Sequence, residues 1–160
     1  MRAGYVRLAG LDEVLGRVRE LSARTVIFDV EPLVAYWDSG QQALDRGVDL
    51  VAGQAAAVPE VQVVCFATNS LRRPSGVPCG DGARVVYVAS AGKPLRTWWY
   101  AGFPRPGVVV GDQIATDGVL ARRLGYAFVQ CRPLGAVPAG PWLMKGVGWL
   151  VRPLAFTRPR

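Results

Sequence analysis

Along the chain, hydrophobic residues fall into short unbroken runs, separated by polar turns and by stretches with helical spacing. Residues 11–21, "LDEVLGRVREL", place Leu11, Val14, Leu15, Val18 and Leu21 on one stripe with charges opposite. That spacing predicts an amphipathic helix, with Asp12 and Glu13 in the first turn where the helix dipole favours acids. "TVIFDV" (25–30) is the β-branched run expected of a strand covered on both faces. Residues 39–57 predict a helix with Ser39 as a candidate N-cap and Pro59 beyond its end. "VQVVCFA" (61–67) predicts the next strand, and the Gly- and Pro-rich "SLRRPSGVPCGDG" (70–82) a loop. "ARVVYVAS" (83–90) predicts a third strand, and "KPLRTWWYAG" (93–102) the start of a helix. "GVVVGD" (107–112) predicts a fourth strand, "DGVLARRLGY" (117–126) a helix closed by Gly125, and "AFVQC" (127–131) a fifth strand.

Strands that are continuous apolar runs, alternating with helices, imply an α/β fold with a central parallel sheet and helices on both faces. In such sheets ligands bind beyond the carboxyl ends of the strands. The residues directly after each apolar run are therefore the informative ones, and they are polar. The first run delivers Asp29 with Glu31 two residues on, and the second delivers Thr68-Asn69-Ser70. Lys93 follows the third run, and Asp112, Gln113 and Asp117 follow the fourth.

Composition narrows the chemistry. A chain of 160 residues suits one domain and buries a sizeable core. No run reaches the roughly 18–20 uncharged apolar residues needed to span a bilayer, and the first 21 residues lack the apolar core of a secretory signal. Cys65, Cys79 and Cys131 are odd in number and widely spaced, which predicts reduced thiols in a cytoplasmic protein. There are no histidines. Imidazole bases, Ser-His triads and His-ligated zinc are thereby excluded, leaving carboxylates, hydroxyls, lysine and a hard metal.

That set has a coherent use. Asp29 and Asp112 can share a Mg²⁺ ion, which prefers oxygen ligands and pairs with phosphate. A carboxylate beside it can attack phosphorus to give an aspartyl phosphate. Thr68, the amides after it and Lys93 can hold the phosphoryl oxygens. A second carboxyl two residues after the nucleophile returns to the same side of the chain, where it can protonate the leaving oxygen and later activate water.

The order of these motifs resembles the haloacid dehalogenase-like (HAD) phosphatases, in the small capless IIIA branch of YqeG type that includes the mitochondrial phosphatidylglycerophosphatases. The family's D-L-D-N-T-L-V followed by W-D is matched by "DVEPLVAYWD". Its strand ending in Ser/Thr-Asn is matched by "VVCFATNS", its A-x-K-P by "AGKP" and its G-D-Q-x-x-T-D by "GDQIATD". "RRLGY" and "RPL" also fit, so the likeness runs from about residue 11 to 135. It implies a Rossmann-like three-layer sandwich without a large cap, spanning residues 1–138 with its core at about 22–135. It implies a Mg²⁺-dependent phosphomonoester hydrolase acting on a phosphorylated substrate, with a lipid-linked phosphate such as phosphatidylglycerophosphate as the candidate. Asp29 would be the nucleophile and Glu31 the acid/base. Asp29, the Glu31 backbone carbonyl and Asp112 would bind metal, and Thr68, Asn69 and Lys93 would bind phosphate. Asp117 and Gln113 would support them.

The first motif departs from the family at Glu31, Pro32 and Leu33, where the family has Asp-Asn-Thr. Glu31 is one methylene longer, Pro32 lacks an amide N–H and Leu33 lacks a hydroxyl. Reduced turnover is expected, and a catalytically degenerate domain that serves as a binding or regulatory module is the alternative.

The net charge of +7 lies in the last quarter, because no acid follows Asp117 while seven cations do. Residues 139–160 form a basic, Trp-containing segment. On a helix, Leu143, Val147 and Leu150 would share a face opposite Lys145, flanked by Trp142 and Trp149. An anionic membrane surface is one expected partner for residues 141–160, giving peripheral attachment at the membrane's inner face. A partner protein or the domain itself is the other. Nucleic acid is not expected, because the cations are dispersed.

Overall fold

A computed structural model describes residues 5–8, 10–79 and 82–131, with side chains described from residue 10 onward. The basic segment 139–160, with the interfacial helix expected there, lies outside the described residues.

Six strands form one all-parallel sheet: β1 (Tyr5–Leu8), β2 (Thr25–Asp29), β3 (Val63–Ala67), β4 (Arg84–Val88), β5 (Gly107–Gly111) and β6 (Ala127–Cys131). Their order across the sheet is β1-β6-β5-β2-β3-β4. The sequence pattern predicts five of these. β1 was not anticipated, because "YVRL" is short and carries a cation in its middle, and pairing with β6 is what makes it a strand.

Side-chain alternation divides the core in two. Val26, Phe28, Val64, Phe66, Val108, Val110 and Val129 pack with the helices α1 (Leu11–Glu20) and α2 (Gln41–Ala56). Ile27, Cys65, Ala67, Val109 and Phe128 face the other way, toward α3 (Val119–Leu124) and the segment around Tyr100 and Phe103. Residues of β2, β3 and β5 are buried along their whole length, so these strands are apolar on both faces.

Two helix readings are corrected. Ser39 is not the N-cap of α2: Gly40 occupies that position, and the Ser39 hydroxyl donates to Tyr36 O at 2.7 Å. Residues 93–102 form no α-helix. Successive turns bond Leu95 and Arg96 N–H to Gly92 O, and a single 3₁₀ turn spans Trp98–Tyr100. Thr97, two tryptophans, Gly102 and Pro104 leave too few good helix formers to offset the cost of nucleation. Gly125 does close α3 in the left-handed conformation, with φ 67°.

β2 sits at the centre of the sheet. From it the chain winds out through β3 and β4 on one side, then returns to β5 and β6 on the other. The loops leaving neighbouring strands β2 and β5 therefore diverge, opening a crevice at their carboxyl ends. Because Asp29 pairs with Ala67 and Phe28 with Val110, the strands on either side of β2 end at almost the same level.

Candidate active site

Register alone brings most of the polar residues together. Asp29 is the last residue of β2, Thr68 follows β3 and Asp112 follows β5. All sit beyond the same edge, and Asp29, Glu31, Thr68, Lys93, Asp112 and Asp117 are all buried. A cleft of about 110 Å³ is lined by Asp29, Glu31, Trp37, Thr68, Asn69 and Lys93, with Ser70, Gln113 and Thr116 completing it.

Lys93 is its electrostatic centre. Its Nζ donates to Asp29 Oδ1 at 2.6 Å and to Asp117 Oδ1 at 2.8 Å. Asp117 comes from a π-helical turn, Ile114–Gly118, that precedes α3. It approaches β5 so closely that a Cβ on Gly111 would collide with its carboxylate, which explains the glycine before Asp112. The Gln113 N–H reaches Asp117 Oδ2 at 3.4 Å, and Gln130 of β6 donates to Asp112 O at 2.8 Å.

Carboxylate oxygens of Asp29, Asp112 and Asp117 lie within 4.8 Å of one another. Burial, reinforced by Asp117, pushes the Asp29 carboxyl well above the ordinary carboxylate range, despite the opposing pull of Lys93. Burial also works against the Lys93 ammonium, but Asp117 and Asp29 outweigh it and hold its pKa above the usual lysine value. Lys93 thus bridges Asp29 and Asp117, while the Asp112 carboxylate completes a buried group of three acids beside it. Three carboxylates this close offer the hard oxygen donors that suit a divalent cation such as Mg²⁺.

Glu31 faces elsewhere. Its Oε2 accepts from the Thr68 hydroxyl at 2.5 Å, Ser70 Oγ lies 3.3 Å from Oε1, and the Arg72 guanidinium is 3.7 Å from Oε1. The Glu31 side chain is therefore outside the carboxylate triad, while Asp117 is inside it.

Asn69 also takes a definite position. Its Oδ1 accepts the Lys93 N–H and its Nδ2 donates to Lys93 O, so the amide is spent on the lysine's main chain. Two participants were not anticipated from sequence. Trp37 lines the cleft. Arg72 donates to the carbonyls of Tyr36, Trp37 and Ser39 and so fixes the loop that follows Glu31. "LRRP" reads as ordinary basic loop, and only the fold shows which of its arginines turns inward.

In comparisons with protein-family models, curated proteins and solved structures, none matched this chain.

Proposed function

We propose that the protein is a Mg²⁺-dependent phosphomonoester hydrolase of the HAD type, forming an aspartyl phosphate on Asp29. The observation that carries this reading is the buried triad of Asp29, Asp112 and Asp117, two of whose acids, Asp29 and Asp117, are joined by the ammonium of Lys93. Asp29, Asp112 and Asp117 would hold the ion, which supplies charge neutralisation for the phosphoryl oxygens when bound. With Oδ1 engaged by Lys93, Asp29 attacks phosphorus through Oδ2, forming the acyl-phosphate bond as the P–O bond to the leaving group breaks. Glu31 gives that oxygen a proton, then takes one from the water that hydrolyses the intermediate, regenerating Asp29 and releasing phosphate. Thr68 and Lys93 donate to the transferring oxygens. A lipid-linked phosphate such as phosphatidylglycerophosphate is the proposed substrate, and the cytoplasmic side of a membrane the proposed place of action.

One observation favours a second reading. Glu31 is bound to Thr68, the hydroxyl assigned to phosphate, so the acid/base group and the phosphate site satisfy each other. That supports a degenerate domain that binds phosphate, or a partner, without turnover. An aryl phosphate assay separates the two. Phosphate release that requires Mg²⁺ and disappears in Asp29→Asn supports the enzyme. Wild type as inert as Asp29→Asn on aryl phosphates and phosphatidylglycerophosphate, yet still binding inorganic phosphate, supports the module.

A further inference from the structure

Large apolar side chains are exposed on the two loops that leave β3 and β4. Leu71 is 84% exposed, Leu95 70%, Trp98 62% and Trp99 47%. These loops form one rim. Ser90 N–H donates to Ser70 O, Ala91 N–H to Thr68 O, and Asn69 bonds Lys93 in both directions. Leu71 therefore follows directly from the cleft's hydroxyl turn, and Leu95 stands two residues beyond its lysine. The rim's charge has one sign. Its two segments, residues 68–79 and 89–102, contain four cations and no acid. Arg72 pairs with Glu31 and Lys93 with Asp29 and Asp117, which leaves Arg73 and Arg96 exposed on the rim. Arg96 lies over the Trp98 ring, 5.8 Å from its centroid.

Protruding aliphatic tips, adjacent tryptophans and exposed arginines make up the composition of an interfacial anchor. The aliphatic groups enter the acyl boundary, the indoles sit at headgroup level and the cations meet anionic lipid. We propose that this rim docks on an anionic lipid surface through Leu71, Leu95, Trp98 and Arg96, turning the cleft toward the headgroups. Asp38 stands on the loop after β2, so the attraction is carried by the β3 and β4 loops. This docking deepens the lipid-phosphate reading of the site, but its test does not depend on turnover.

The experiment is vesicle co-sedimentation of the full chain, with phosphatidylcholine vesicles containing or lacking phosphatidylglycerol. Wild type should partition onto the anionic vesicles. Leu95→Glu with Trp98→Glu should lower the partition coefficient about tenfold or more, and Arg96→Gln roughly fivefold. Neither variant touches the cleft, so Mg²⁺-dependent aryl phosphate hydrolysis should stay at the wild-type level if the enzymatic reading is right. Loss of hydrolysis in wild type would overturn that reading alone. Equal vesicle binding by wild type and the double variant, absence of binding by both, or capture of a protein by the rim without lipid binding would each overturn the docking proposal. Circular dichroism of the double variant, matched to wild type, excludes misfolding as the cause of a loss.

Discussion

Asn69 holds Lys93 by its main chain, accepting the lysine N–H at 2.8 Å and donating to its carbonyl at 3.1 Å. The ammonium that joins Asp29 to Asp117 is thus positioned from the loop after β3, by a residue that does not touch either acid. Asn69→Ala leaves Lys93 in the chain but releases its backbone. On the proposed mechanism kcat should fall about 10²-fold with a smaller change in KM. Urea unfolding should show a loss of about 1–3 kcal/mol for the orphaned backbone pair. Steady-state kinetics and a denaturation curve on the same preparation check both.

Arg72 does comparable work for Glu31. It bonds the carbonyls of Tyr36, Trp37 and Ser39, and its guanidinium lies 3.7 Å from Glu31 Oε1. Arg72→Ala should lower kcat by about one to two orders of magnitude. Arg72→Lys should recover little of it, because an ammonium cannot bridge several carbonyls as the planar fork does. A full recovery by lysine would mean that charge alone is needed.

Gly111→Ala puts a methyl group where the Asp117 carboxylate now lies. The acid must move, and with it one of the two partners of Lys93. Activity should fall at least about 10²-fold while the fold loses about 1–3 kcal/mol from overpacking. Kinetics and thermal unfolding of the variant, run in parallel, read the two effects.

The thiols give a test of the fold that is independent of function. Burial pushes Cys65 up to about 12, and burial with help from Glu13 and Asp112 does the same for Cys131, whereas Cys79 is exposed. At pH 8 only about one buried thiol in ten thousand is ionised. A disulfide reagent should therefore titrate one cysteine quickly in the native protein and all three in denaturant. Because the fold favours the neutral thiols, their contribution to stability is complete below about pH 8.5 and falls as the pH climbs toward 12. Urea midpoints measured from pH 7 to 10 should decline accordingly.

Residue pattern made the sheet legible because β2, β3 and β5 are apolar on both faces, which gives unbroken runs ending in the polar residues of the cleft. β1 was hidden because its strand identity comes from pairing with β6 and not from its own four residues. The helix expected from residue 93 onward does not form, and Leu95, Trp98 and Trp99 are exposed, so no apolar face there packs on the core to support one. Asp29, Lys93 and Asp117 were legible as a set from their places after strands. The Glu31–Arg72 relationship was not, since it depends on how two loops fold against each other, and no spacing encodes that.

The central claim is that Asp29 becomes phosphorylated. The most direct measurement is rapid acid quenching of protein mixed with Mg²⁺ and an aryl phosphate, followed by peptide mass analysis. The account predicts a phosphoryl group on the peptide containing Asp29, its loss in Asp29→Asn, and its accumulation in Glu31→Gln, where the base for hydrolysis is gone. Phosphate release by wild type with no modified peptide in any variant, or equal release by Asp29→Asn, would contradict it.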